Sequence, residues 1–266
     1  VKLSYNNAPS LMYWWLDGYV NFSAQQKPSV KQQLTHLQSW HREKELPQYA
    51  DFLRRIDVLA PDNVKPEQVC NLFDEAKLRM QSFNSAIVPV VQSISPNLTS
   101  LQLQNIEKKF AESNDEWREQ WMDDNPDKLL KKRLETALDR AESFYGKLSI
   151  AQKDLLRASI QGSSFSPEIS YKRRISNQQK ILSLLHAIQR AELSSDQANI
   201  EMHAFMRQLI SPEDPDFAAY VDKLSAESCQ TLANLHNSST AKQRENLRDY
   251  FQGYLNSFNE LMVQGK

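Results

Sequence analysis

Residues 66–89 read PEQVCNLFDEAKLRMQSFNSAIVP, and within them Val69, Leu72, Phe73, Ala76, Met80, Phe83 and Ile87 recur at intervals of three and four. That spacing lays one apolar stripe along a helix of about five turns. Pro66 suits the first turn, and Pro89 predicts the end. Upstream, Val30, Leu34, Leu37 and Trp40 follow Pro28 at the same period, as do Tyr49, Phe52, Leu53, Ile56 and Leu59 after Pro47. Downstream come Leu103, Ile106, Phe110, Trp117 and Trp121, then a break at Asp123-Asp124-Asn125-Pro126. Leu130, Leu134, Leu138, Ala141 and Tyr145 form the next stripe, with Gly146 as its stop. Leu155, Leu156 and Ile160 precede a loop at 162–167, and Tyr171, Ile175, Leu182, Leu185 and Ile188 follow it. Asp196 can cap a segment through Met202, Phe205 and Leu209, and Phe217 to Leu261 continues in the same period. No alternating strand pattern of useful length occurs. The expectation is an all-α multi-helix bundle, compact or elongated, of roughly eight to ten helices. It is read as a single helical domain over 1–266, with subdomain joints only near 123–127 and 162–167.

Composition agrees. Leucine occurs 31 times against 23 for valine and isoleucine together, and threonine five times, an alphabet of helix formers. Five dispersed glycines exclude every glycine-rich phosphate loop. With 32 basic and 33 acidic side chains, no overall field would recruit nucleic acid, so no nucleic-acid partner is expected. The clusters Lys131-Lys132-Arg133 and Lys172-Arg173-Arg174 read as solvated helix faces. The longest apolar run, Leu11 to Val20, is interrupted by Asp17 and is too short to cross a bilayer. A chain opening on Val1 suggests a processed protein whose targeting segment lay upstream.

Three helix starts carry the capping-box pattern: Thr99 with Gln102, Ser149 with Gln152 and, as a partial copy, Thr240 with Gln243. The hydroxyl accepts a first-turn amide while the glutamine reaches back to the cap's own amide, each cap stabilising by about 1 kcal/mol. Cys70 and Cys229 are the only cysteines, too few for a zinc quartet. In an oxidising compartment they would close one long-range disulfide, the favoured reading; in a reducing one they would be buried thiols. The five histidines show no metal-binding spacing, and Asp123-x-Asn125-x-Asp127 lacks the glycine and final carboxylate of a calcium loop. No nucleophile elbow occurs, and isolated carboxylates on amphipathic helices define no catalytic pair. Neither a cofactor nor a metal nor a catalytic residue is expected.

The most distinctive text is Tyr13-Trp14-Trp15-Leu16-Asp17-Gly18-Tyr19, followed by Trp40-His41-Arg42 and Glu45-Leu46-Pro47. Consecutive tryptophans cannot face one way on a helix, so one is expected in the core while its neighbour meets another helix, a partner or a lipid headgroup layer. Asp17 is expected to clamp the first segment to Arg42 or His41.

These stretches, together with Tyr5-Asn6, Pro9, Gln68-Val69-Cys70, Asn114, Arg133, Arg140-Ala141-Glu142, Tyr145-Gly146 and Gln243-Arg244, resemble a family of predicted bacterial lipoproteins of unknown function, from the first residues to about residue 250. The capping-box text more weakly resembles the Leu-Thr-x-x-Gln motif of the Spy-type periplasmic chaperones. The lipoprotein resemblance implies a signal peptide, a lipid-bearing cysteine upstream of Val1 and tethering in the periplasm, at the outer membrane of a Gram-negative bacterium. It supplies no catalytic residues. The leading expectation is therefore a non-enzymatic envelope lipoprotein that binds another envelope protein or an unfolded client. The alternative is a carrier or sensor of an amphiphile or cell-wall fragment held in an interhelical cleft. Trp14, Trp15, Asp17, Tyr19, Trp40, His41, Arg42, Arg133, Arg140, Glu142 and Tyr145 are the candidate surface. Arg42, Arg133 or Arg140 would meet an anionic head, unless Arg133, Arg140 and Glu142 form interhelical ion pairs. An enzyme would need titratable groups converging from several helices, around His41 and Glu45 for instance.

Overall fold

The computed structural model describes residues 1–122 and 125–264. Asp123 and Asp124, where the break was placed and the calcium-loop pattern starts, lie outside the described residues. Among the described residues there are twelve α-helices and no strand: α1 (Lys2–Asn6), α2 (Ala8–Val20), α3 (Lys27–Trp40), α4 (Leu46–Leu59), α5 (Pro66–Ile94), α6 (Ser100–Trp121), α7 (Pro126–Tyr145), α8 (Ile150–Gln161), α9 (Pro167–Gln189), α10 (Ser195–Ile210), α11 (Pro215–Asn237) and α12 (Ala241–Val263). A π-helical turn, His41–Glu45, joins α3 to α4, and a 3-10 turn, Ser95–Asn97, follows α5.

Pro89 does not end its helix. A proline inside a helix lacks the N–H and crowds the carbonyl four residues back, at a cost of about 3 kcal/mol. Val88 and Val90 on either side of it are buried, and Val91 and Ile94 pack beyond it. Burial of such side chains is worth roughly 1.5–3 kcal/mol each, which outweighs the loss. The cap of α10 is Ser194 rather than Asp196: its Oγ accepts from Gln197 N at 3.2 Å.

The helices form two compact units, each assembled from three separate stretches. The first comprises Val1–Lys44, Arg79–Met122 and Pro167–Pro212; the second comprises Glu45–Leu78, Asp123–Ser166 and Glu213–Lys266. In the first, α2 packs on α3 and α6, and α9 on α6 and α10. Its core is Val30, Leu34 and Leu37 of α3 against Leu103 and Ile106 of α6, Val90 and Leu185. In the second, α12 lies along α4 and α7, and α8 contacts α7 and α11. The Cys70–Cys229 disulfide ties α5 to α11 in this unit, with the Cys229 side chain wholly buried beside Ala233.

One hydrogen-bonding device recurs in both units. In the second, the boxes Ser149–Gln152 and Thr240–Gln243 stand face to face. Gln152 Nε2 donates to Gln243 Oε1 at 2.9 Å, and Gln243 Nε2 to Gln152 Oε1 at 3.0 Å. Each amide also reaches a carbonyl before the other's helix, Ser238 O at 3.2 Å and Lys147 O at 3.0 Å. In the first unit Gln102 of the Thr99 box pairs likewise with Gln26, which bonds reciprocally with Ser23 ahead of α3. Their outer partners are Asn21 O and Asn97 O. A glutamine that closes its own cap thus also locks a second helix start, leaving no buried amide atom unpaired.

Candidate functional site

The first unit contains a cleft of about 670 Å³, within the size range of small-molecule sites. Trp15, Leu16, Tyr19 and Val20 of α2, Val91 and Ile94 of α5, and Ile106 and Phe110 of α6 form its apolar wall. The period of α2 determines which residues point here: Tyr13, Leu16 and Val20 turn toward the unit, and Tyr19 stands edge-on to Phe110 at 6.1 Å. Asn105 Nδ2 secures this turn by donating to Tyr19 O at 2.7 Å.

The opposite wall is α9, and it changes character along its length. Ser170, Arg173, Arg174, Asn177 and Gln178 line the cleft from the first turns; Ile181 and Leu185 continue the same stripe. From Arg174 to Leu185 this stripe extends about 16 Å. Its polar end is preorganised. Arg174 Nε donates to Asn114 Oδ1 at 2.7 Å and its Nη2 to Ser113 Oγ at 2.6 Å. The buried Asn114 exchanges two amide hydrogen bonds with Gln178, at 2.7 and 3.0 Å. Arg173 Nη2 donates to Gln208 O at 2.8 Å. Guanidinium groups held this way present fixed donors to an oxyanion. Also in the lining is Ser95, 1% exposed, whose Oγ has no hydrogen-bond partner.

Trp15 and Tyr19 are the two sequence-selected residues in this cleft. Trp14 and Trp15 are both exposed, at 76% and 57%, so the expectation of a core tryptophan fails: the phase that buries Tyr13, Leu16 and Val20 turns both indoles outward. Asp17 does not meet Arg42 or His41. Its Oδ1 accepts from Phe22 N at 2.8 Å and from Tyr13 Oη at 3.2 Å, closing the end of its own helix. The clamp falls to α1 instead. His41 Nδ1 bonds Tyr5 Oη at 2.9 Å, Arg42 Nη2 donates to Asn6 Oδ1 at 2.9 Å, and Gln38 donates to Tyr5 O. Trp40 packs half-buried against the first unit's core.

Arg133, Arg140, Glu142 and Tyr145 belong to the second unit and do not join the cleft. Glu142 pairs with neither arginine. Its Oε1 meets Lys153 Nζ at 3.0 Å, and this hydrogen bond, with one from Leu148 N, holds the carboxyl below its ordinary value. The Arg133 guanidinium lies 4.7 Å from the Phe165 ring centroid, and burial pushes its pKa down. Arg140 is exposed. Tyr145 lines a smaller apolar cavity of about 310 Å³ and hydrogen-bonds His236 Nδ1 at 3.0 Å. Burial pushes the Tyr145 phenol up to about 12 and the His236 imidazole down.

The cleft residues missed by sequence reasoning are Arg173 and Arg174, read as a solvated face. Both are half-buried, and only Lys172 of that cluster is exposed. Their signal was the spacing Ser170, Arg174, Asn177, Ile181, Leu185, a single stripe that turns from polar to apolar. Among the described residues no group of three or more His, Cys, Asp or Glu side chains is placed to hold a metal ion. Among the described residues no helix is long and apolar enough to cross a membrane.

Such a site, an apolar trough with a polar end on an all-helical body, defines a helical protein with a candidate small-molecule cleft. The chain belongs to a family of unknown function, DUF6279, whose model matches residues 18–194. No curated protein and no solved structure matches it.

Proposed function

We propose that the protein is a non-enzymatic binding module whose first unit takes up a single-chain amphiphile with an anionic head. The carrying observation is the amphipathic axis of the cleft. Ile181, Leu185, Phe110 and Ile106 would surround the chain while Arg173 and Arg174 face the head. An unfolded client or an envelope protein, the leading expectation from sequence, would need a longer apolar track than α9 offers, where only Ile181 and Leu185 of the roughly 16 Å stripe are apolar. The Cys70–Cys229 disulfide supports an oxidising compartment, and together with the lipoprotein resemblance it favours the periplasmic side of a Gram-negative envelope, with a lipid anchor at the outer membrane.

The test is titration with myristate below its micellar concentration, read by tryptophan emission. Saturation at one molecule per chain is expected, with the signal reduced in Trp15→Phe and binding lost in Ile181→Trp, which fills the trough. Equal affinity in Ile181→Trp, or no saturable binding, overturns the proposal. Suppression of aggregation of a reduced client, undiminished by myristate, would move the function to protein binding.

A further inference from the structure

The cavity of about 310 Å³ in the second unit is held open by its frame. Phe52 and Ile56 of α4, Phe73 of α5, Phe144 of α7, and Leu247 and Phe251 of α12 form its walls, with the Phe144 and Phe251 rings stacked at 5.6 Å. The loop from α4 to α5 is pinned from two helices. Asn237 of α11 accepts from Val64 N at 2.8 Å and donates to Val64 O at 2.9 Å, and His236 Nε2 donates to Asp62 O at 2.9 Å. From α12, Arg244 Nη1 donates to Pro61 O at 2.6 Å and Nη2 to Asn63 Oδ1 at 2.5 Å. The Cys70–Cys229 disulfide fixes α5 against α11. Walls fastened at these points resist collapse into the space between them, which is what decides whether a void survives in a core.

The lining also carries no charge. Among the described residues no Asp, Glu, Lys or Arg lines the cavity. Its polar groups are Gln68, Tyr145 and His236. Tyr145 Oη and His236 Nδ1 stand 3.0 Å apart, and His236 Nε2 faces Asp62 O, so the phenol donates to the imidazole and the imidazole to the loop. Burial keeps both neutral, pushing the phenol up and the imidazole down. Gln68 Oε1 accepts from Lys65 N at 2.8 Å, and its amide is uncharged. The Arg244 guanidinium is outside the lining, engaged by Pro61 O, Asn63 Oδ1 and Ser239 Oγ. An anion in this cavity would lie among apolar side chains without a counter-charge, which is far more costly than burying a neutral body.

We infer that this cavity is a second binding site, which takes a neutral apolar molecule larger than a single ring. A cavity of roughly 150 Å³ lined by leucine, isoleucine and phenylalanine stays dry and takes up benzene. The one here has about twice that room, the same kind of wall and a pinned frame. The cleft of the first unit offers two arginines; this site offers none and so selects against the anionic amphiphile proposed there. The inference does not rest on that proposal.

The probe is N-phenyl-1-naphthylamine, uncharged at neutral pH and fluorescent in apolar surroundings, titrated into Ile181→Trp, where the first unit's trough is filled. Saturation at one probe per chain is expected. 1-Naphthalenemethanol should displace it, and 1-naphthoate, the same rings bearing a carboxylate, should compete at least about tenfold more weakly. Ala76 also lines the cavity, and Ala76→Phe would fill it from α5. That variant should weaken probe binding by about tenfold or more while myristate binding to the first unit persists. In the unaltered chain, nuclear Overhauser contacts from the probe to the Phe251 ring and the Leu247 methyls are expected. No saturable binding to Ile181→Trp, equal displacement by the alcohol and the carboxylate, unchanged affinity in folded Ala76→Phe, or probe contacts confined to the first unit overturns the inference. Absence of myristate binding in the unaltered chain, with the probe results as expected, would remove the first unit's function and leave this site standing.

Discussion

Truncating Gln243 to alanine tests whether the paired caps hold the second unit together. The side chain is buried, and its Oε1 accepts from Thr240 N at 3.0 Å and from Gln152 Nε2 at 2.9 Å. Its Nε2 donates to Lys147 O and Gln152 Oε1. After truncation Gln152 keeps Ser149 N and Ser238 O, whereas Thr240 N and Lys147 O lose their side-chain partner. Thr240 Oγ1 still accepts from the backbone N of residue 243, so what the box loses is the Thr240 N–H hydrogen bond to the glutamine, worth about 1 kcal/mol. An unpaired, partly buried carbonyl adds about 1–2 kcal/mol. The expected destabilisation is therefore about 2–3 kcal/mol, measured by urea unfolding followed by circular dichroism. Gln197→Ala is the control. Its box is exposed and makes only its own two cap bonds, so about 1 kcal/mol or less is expected. In the double variant Gln152→Ala with Gln243→Ala the shared pair is broken only once, so the combined cost should fall short of additivity by about 1 kcal/mol. A Gln243→Ala cost no larger than that of Gln197→Ala, or strict additivity, would refute the locking role.

Other perturbations follow from the second unit. Burial holds the His236 imidazole below its ordinary value, with Nε2 donating to Asp62 O at 2.9 Å and Nδ1 accepting from Tyr145. The unfolded chain then binds the extra proton first. Stability is full above the unfolded value of about 6.5 and falls as pH drops through it toward the folded pKa. Melting curves at pH 7.5 and 5.5 should show this loss, and His236→Gln should flatten it. Gly146 ends α7 at φ +73°, and a Cβ there would stand 2.9 Å from Asn246 Nδ2, which donates to Tyr145 O. Gly146→Ala should cost about 1–3 kcal/mol by chemical unfolding, against a few tenths for Gly162→Ala at φ −85°. Alkylation of native protein should label no thiol, and pairwise replacement of Cys70 and Cys229 by serine should cost about 2–4 kcal/mol.

The helices were legible because their signals are local. The apolar period at 66–87 and the Thr99, Ser149 and Thr240 boxes need only a few neighbouring residues to be read. The pairing of Gln102 with Gln26 was not, since no local pattern shows which two caps will meet across 76 residues. Nor were the two units, because the chain leaves each and returns to it, so no contiguous stretch marks either. In α2 apolar residues occupy every side, and periodicity cannot choose between burying Tyr13 and burying a tryptophan. Arg173 and Arg174 were misread for a related reason: a run of charges carries no record of what lies opposite, here Asn114, Ser113 and Gln208.

The most direct measurement of the central claim is nuclear Overhauser contact between bound myristate and the first unit. Contacts from the chain methylenes to the Ile181 and Ile106 methyls and the Phe110 ring, with the carboxylate end near Arg174, are the predicted result. Contacts confined to the exposed Trp14 and Leu11 of α2, or to Phe144 and Phe251 of the second unit, would contradict it.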